Sequence, residues 1–124
     1  MTTFLDYNLS DGLIKSLKYL RFHKPTEIQE KTIPIALKDN DILASAETGS
    51  GKTAAYLIPL IQKINSSRNT YGLVLVPTRE LAKQVADVGH SLKDYKSKLL
   101  ITQVVGGASL NNQVSQLKKS PQII

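Results

Sequence analysis

The sequence predicts an α/β fold, a parallel sheet with helices on both faces, and three observations predict it. Short apolar runs alternate with amphipathic helical stretches from Asp41 to the end of the 124 residues. The run Leu73-Val74-Leu75-Val76 is continuously apolar, the pattern of a strand buried on both faces of a parallel sheet. Between Ile42-Leu43-Ala44 and the next helical stretch lies Ala46-Glu47-Thr48-Gly49-Ser50-Gly51-Lys52-Thr53, which has the composition of a phosphate-binding loop. In open parallel sheets, ligands sit beyond the carboxyl ends of the strands, where that loop falls.

Each element follows from a local signal. Ser10 stands where it can cap a helix carrying Leu13, Ile14, Leu17 and Leu20 on one face. Pro25-Thr26 breaks the chain and starts a second helix, with Thr26 as N-cap and Pro34 bending it. Asp39-Asn40 turns into a strand from Asp41 to Ser45. The helix after the loop is expected from Lys52 to Ile64, burying Ala55, Leu57, Ile58, Ile61 and Ile64, with Pro59 as a bend. Asn65 to Asn69 reads as a polar connection to the Leu73 strand. A helix from Thr78 to Tyr95 follows, with Leu81, Val85, Val88 and Leu92 inward; then come a strand from Leu99 to Val105, a helix from Ser109 to Lys119, and a strand opening at Gln122-Ile123-Ile124. The chain is read as one partial domain, 1–124, with a helical region at 1–39 and βα units at 40–124.

Composition narrows the setting. With 41% hydrophobic and 21% charged residues the chain is ordinary for a soluble globular protein, and without cysteine it uses neither disulfides nor thiolate metal sites. No apolar run approaches the roughly 18 residues of a spanning helix, and the start, with Asp6 and no basic stretch, is unlike a secretion signal. A cytoplasmic location without membrane contact is therefore expected. The net charge of +6 and pI near 9.6 suit a polyanionic partner, and equally a solubilising surface.

The loop carries the chemistry. Gly49 and Gly51 allow backbone conformations that let successive amides ring a phosphate, and the helix that follows turns its unsatisfied N-terminal amides on the same anion. Lys52 supplies a mobile charge for the β- and γ-phosphates, and the Thr53 hydroxyl can complete the shell of a magnesium ion bridging them. Ala46 stands where the general pattern G-x-x-x-x-G-K-[ST] has its first glycine. At the ends of the next two strands come Pro77-Thr78-Arg79-Glu80-Leu81 and Gly106-Gly107. A helix N-terminus, a hydroxyl, a guanidinium and open amides suit a sugar-phosphate backbone gripped without base reading. A helix start, a solvated Arg-Glu pair and a plain turn would account for the same residues.

Arg21-Phe22-His23-Lys24-Pro25-Thr26-Glu27-Ile28-Gln29, Ala46 to Thr53, Pro77 to Leu81 and Gly106-Gly107 follow one another in the order and spacing of the N-terminal RecA-like domain of DEAD-box ATP-dependent RNA helicases. The chain resembles that family over nearly its whole length; Ala46 matches the family's own variant of the loop, and Phe4 resembles the aromatic upstream of its Q motif. Arg21 and Ser120 depart from it, since glycine is usual at both places. The resemblance implies a P-loop NTPase of RecA-like type whose cofactors are ATP and Mg2+ and whose partner is RNA. Lys52 and Thr53 would hold triphosphate and metal, and Ala46, Glu47, Thr48, Gly49, Ser50 and Gly51 would wrap the phosphates. Phe22, Lys24, Thr26 and Gln29 would form the adenine site, and Pro77, Thr78, Arg79, Glu80, Gly106 and Gly107 would shape the RNA backbone site.

Gln29 has two readings. With Thr26 it fits the capping-box spacing, in which the side chain folds back to the N-cap amide. Its amide also matches the donor and acceptor edge of adenine, with Phe22 stacking on the base, which predicts ATP over GTP.

In the family, ATP and RNA close two such domains on each other, and strand bending opens a short duplex. The Thr-Pro-Gly-Arg, Asp-Glu-Ala-Asp and Ser-Ala-Thr segments of that family do not occur here, so the chain is read as truncated before the DEAD-motif strand. Phosphoryl transfer needs a carboxylate for magnesium and water and an arginine for developing charge, so the isolated chain is expected to bind ATP without hydrolysing it. Exposed sheet edge is expected to drive self-association or strand exchange. The alternatives are a non-catalytic nucleotide- or RNA-binding module and another P-loop enzyme such as a small-molecule kinase; the latter leaves Phe22, Gln29, Arg79 and Gly106 unexplained.

Overall fold

The structure, a computed structural model, describes residues 2–94 and 96–124. A 3-10 turn at Phe4–Tyr7 leads into five helices: α1 Asp11–Tyr19, α2 Glu27–Ala36, α3 Lys52–Ser66, α4 Arg79–Leu92 and α5 Leu110–Leu117. Helix α3 is the centre. It packs on α2 and α4, and α1 packs on α4. Leu57, Ile58 and Ile61 of α3 are fully buried among Leu13 and Leu17 of α1, Ile33 of α2 and Leu92 of α4. Each such side chain contributes about 1.5–3 kcal/mol by leaving water. Phe4 belongs to this core as well, edge-on to Tyr7 with ring centroids 6.2 Å apart.

Helix boundaries shift where side chains find partners that local propensity does not reveal. The Ser10 hydroxyl does not cap α1; it is buried without a partner, while the Ser10 amide donates to Gln62 Oε1 at 2.8 Å and ties the start of α1 to α3. Helix α3 runs two residues past Ile64, so Asn65 and Ser66 are helical, and the Ser66 hydroxyl donates to the Gln62 carbonyl at 2.7 Å. Pro34 and Pro59 lie inside α2 and α3. Helix α4 begins at Arg79 and its last helical residue is Leu92; the expected end at Tyr95 lies outside the described residues. Helix α5 buries none of its residues.

The departures at Arg21 and Ser120 acquire a physical meaning. Both adopt left-handed backbone, with φ of 59° and 55°. Arg21 follows the cap of α1 in a Schellman arrangement, its own amide donating to the Lys18 carbonyl at 3.0 Å and that of Phe22 to Leu17 at 2.9 Å, a position that favours glycine.

Of the expected sheet the described residues form only a few parallel pairings. Among the described residues no continuous strand forms; isolated parallel bridges pair Gly72 and Ile101 with Ile123. The segment 122–124 thus lies between 72–74 and 100–102, held by Gly72 N to Gln122 O at 2.7 Å, Val74 N to Ile124 O at 2.8 Å and Thr102 N to Ile123 O at 2.9 Å. Leu73 to Val76 is not buried on both faces: Leu73 is 70% and Leu75 84% exposed, while Val74 and Val76 turn to the core. The segment 41–45 has no bridge partner among the described residues and Leu43 is fully exposed, because a ladder requires a neighbour on at least one side. No helix among the described residues is long and apolar enough to cross a membrane.

Candidate functional site

The loop 46–53 is shaped by two glycines with positive φ, 81° at Gly49 and 90° at Gly51, and the latter is the N-cap of α3. Ser50 N donates to Glu47 O at 3.2 Å and closes the turn, while Glu47 and Thr48 stay exposed. Lys52 Nζ donates to the Ala46 carbonyl at 2.5 Å, spanning the loop. The Ser50 hydroxyl is buried without a partner, and the first amides of α3 are the unsatisfied donors every helix start presents. A buried hydroxyl, helix-start amides and a lysine are groups of the kind that hold an anion.

Gln29, on α2, is buried at 3% exposure and joins two segments. Its Oε1 accepts from the Thr26 amide at 3.0 Å, which is the capping-box bond, and its Nε2 donates to the Gly51 carbonyl at 3.1 Å. The first bond leaves the second reading open, since the amide retains another lone pair and another N–H. The contact is close enough that a Cβ on Gly51 would lie 2.5 Å from Gln29 Nε2 and 3.0 Å from Thr26 Oγ1. Thr26 and Gln29 are therefore joined to the loop directly. Phe22 and Lys24 stand on the exposed approach to α2, where Lys24 makes no hydrogen bond or ion pair. A cleft of about 620 Å³ runs between α2, residues 39–44 and α3, with Lys52 and Tyr56 in its lining.

Tyr56 escaped the sequence reading. Burial pushes its phenol above the ordinary range, an effect that the Thr53 side chain one turn earlier partly offsets. The signal available was the i,i+3 spacing.

The second group of residues is drawn together around Gly107. Thr78 caps α4, its Oγ1 accepting from Leu81 N at 3.1 Å, so the helix-start reading of that residue is realised. Arg79 forms no ion pair with Glu80. Its guanidinium lies against Gly107, where an added Cβ would come within 2.6 Å of Nη1, and Gly107 has φ of 81°. Pro77, Glu80 and Gly106 are exposed beside this contact. Gln113 was also missed: its Oε1 accepts from the Val105 amide at 2.7 Å and anchors the glycine turn to α5. Among the described residues no three His, Cys, Asp or Glu side chains cluster for a metal.

Residues 26–124 match the family model of the DEAD/DEAH box helicase. The chain belongs to that family. It is 51% identical to the ATP-dependent RNA helicase DRS1 of Lodderomyces elongisporus over 98% of its length, covering 18% of that protein. It is 42% identical to the ATP-dependent RNA helicase CshA of Listeria monocytogenes over 100% of its length, covering 24% of that protein. A DEAD box protein from Methanococcus jannaschii superposes with a TM-score of 0.90 at 42% identity, over 100% of this chain and 34% of that one. Prp28 from Chaetomium thermophilum, solved bound to ADP, superposes at 0.89 with 36% identity, over 100% and 31% of the two chains. The DEAD-box chain thus has the RecA-like fold of its neighbours and spans about a quarter or less of the curated relatives named here.

Proposed function

We propose that this DEAD-box chain is the ATP- and RNA-binding part of the N-terminal RecA-like domain of an ATP-dependent RNA helicase, organised as a helical region at 1–39 and a parallel βα sheet with helices on both faces at 40–124. The observation that carries the reading is the bond from Gln29 to the Gly51 carbonyl, which joins an amide suited to adenine to a loop suited to phosphate. The ADP held by the Chaetomium relative supports an adenine nucleotide.

On this reading Gln29 meets the adenine edge, Phe22 stacks on the ring, and Lys24 and Thr26 support them. Ala46, Glu47, Thr48, Gly49, Ser50 and Gly51 wrap the phosphates, and Lys52 neutralises the outer two. The polar atoms left without partners in the loop fit a magnesium-bound triphosphate. Thr53 is the residue that would hold the metal, whose chemistry is to neutralise charge on the phosphate oxygens. Pro77, Thr78, Arg79, Glu80, Gly106 and Gly107 grip the RNA backbone. The segments that the family resemblance assigns to water activation do not occur among these 124 residues, so these residues by themselves bind ATP without turning it over. Exposed Leu43, Leu73 and Leu75 favour self-association or strand exchange.

Fluorescent ATP and GTP titrations on the unmodified chain, Lys52→Ala and Gln29→Ala test this. Lys52→Ala should weaken both nucleotides, whereas Gln29→Ala should remove the preference for ATP. Equal ATP preference in the chain and in Gln29→Ala would sink the adenine assignment, and turnover by the pure chain would sink the claim that it only binds.

A further inference from the structure

A groove at the other end of the parallel-paired segments has the chemistry of a second site. The three extended segments run parallel, so their starts gather at the edge away from Pro77 and Gly106. There a cleft of about 510 Å³ is bounded by the end of α3, the turn 67–70 and residues 97–99, with Gln122 at the start of the middle segment. Two of its lining residues, Arg68 and Lys98, are cations and none is acidic. Neither Arg68 nor Lys98 forms an ion pair or hydrogen bond among the described residues, although Lys31, Lys63 and Lys83 are ion-paired. Tyr71, also in the lining, is 63% exposed.

The groove is held by the backbone that surrounds it. Asn69 takes a left-handed conformation with φ of 58°, which asparagine tolerates, and so fixes the turn that carries Arg68. Gln122 Oε1 accepts from Leu100 N at 2.8 Å, which fixes the side chain and leaves its NH2 group to donate. Asn65 and Asn69 add further amides to the wall.

We propose that this groove binds single-stranded nucleic acid, with Arg68 and Lys98 on successive phosphates and a base stacked on Tyr71. A planar guanidinium suits a phosphate fork, and an exposed aromatic ring takes any base face without sequence preference. An acidic peptide would satisfy the two cations, but only a nucleic acid carries a ring beside every anionic group, so the combination of paired cations and an exposed tyrosine face favours a nucleic acid. The site lies at the opposite edge from Arg79 and Gly107 and needs no ATP, so it goes beyond the function proposed above.

Anisotropy of a labelled oligouridylate, measured across a salt series without nucleotide, tests the groove. The unmodified chain is compared with Arg68→Ala/Lys98→Ala, Tyr71→Ala, Tyr71→Phe, Arg79→Ala and the exposed α1 pair Lys15→Ala/Lys18→Ala. Loss of two phosphate contacts should reduce the slope of log affinity against log salt by about 1.4, at about 0.7 per contact for single strands. Tyr71→Ala should weaken binding about tenfold while Tyr71→Phe retains it. The α1 pair should leave the slope near that of the unmodified chain. Equal losses from the α1 and groove pairs would show attraction by net charge alone and overturn the proposal. An effect of Arg79→Ala with inert groove variants would overturn it too, while leaving the upper-edge reading intact. Displacement of the oligonucleotide by an acidic peptide at lower concentration would reassign the groove to a protein partner and end the nucleic-acid assignment.

Discussion

The edge built around Gly51 and the edge built around Gly107 use the same device on different foundations. Each is a turn with a positive-φ glycine, and each is held by a polar side chain from another segment, Gln29 on Gly51 and Arg79 on Gly107. Beneath Gly51 stands α3, whose Leu57, Ile58 and Ile61 are sealed in the core. Beneath Gly107 stands an extended segment joined by isolated bridges and flanked by α5, which buries nothing. Buried Gln29 is fixed at both ends of its amide, whereas Arg79 has no hydrogen-bonded partner beyond its packing on the glycine. The Gly51 edge is thus fixed by this chain's own core, and the Gly107 edge is left adaptable.

Gly51→Ala is the largest test of that difference. Left-handed backbone on a residue with a side chain costs about 1–3 kcal/mol where the surroundings enforce it, and here the new Cβ would also press on Gln29 Nε2. The expected outcome is a destabilisation of that order by urea unfolding together with lost nucleotide binding. A stable Gly51→Ala chain with intact affinity would show that the Gly51 edge is as adaptable as the other.

Next in size is relief of strain at Arg21 and Ser120, one on each side of the comparison. Arg21 sits between α1 and α2, and Ser120 leads into the central extended segment. Replacing either by glycine removes about 1–2 kcal/mol of left-handed strain and returns roughly half of it as lost chain entropy. Arg21→Gly and Ser120→Gly should each stabilise the chain by about 0.5–1 kcal/mol. If both raise one common thermal transition, the two halves unfold as a unit. If Ser120→Gly moves only a separate, earlier transition, the Gly107 edge is an independent and weaker unit, which sharpens the contrast.

Much of this was legible in the sequence, and the unread parts share a cause. Helical periodicity located the five helices among the described residues, because each carries its own apolar stripe, and the glycines with the Lys52-Thr53 pair marked the loop. What escaped were interactions between segments, among them Gln62 taking the Ser10 amide, Gln113 taking the Val105 amide, and Gln29 reaching Gly51. Glutamine is a common surface residue, so its composition gives no hint that the amide is spoken for. The Leu73 run misled for the opposite reason. Continuous apolarity reports what a strand is suited to pack against, while burial depends on neighbours, and Leu73 and Leu75 find none among the described residues.

Those two leucines set the smallest effect on stability and the clearest on behaviour. Leu75 is 84% exposed, so Leu75→Ser removes almost no buried area and should change unfolding free energy by less than about 0.5 kcal/mol. An exposed apolar strand is nevertheless a template for a second chain, since its unpaired amides and carbonyls remain available for a ladder. Sedimentation at tens of micromolar should therefore show association of the unmodified chain that Leu75→Ser reduces, with the melting temperature hardly moved. A clean monomer before substitution would mean that the open face is protected by its own twist or charge. Association that survives Leu75→Ser but falls with Leu43→Ser would instead place the sticky edge beside the 46–53 loop, and reverse which of the two regions is the one left open.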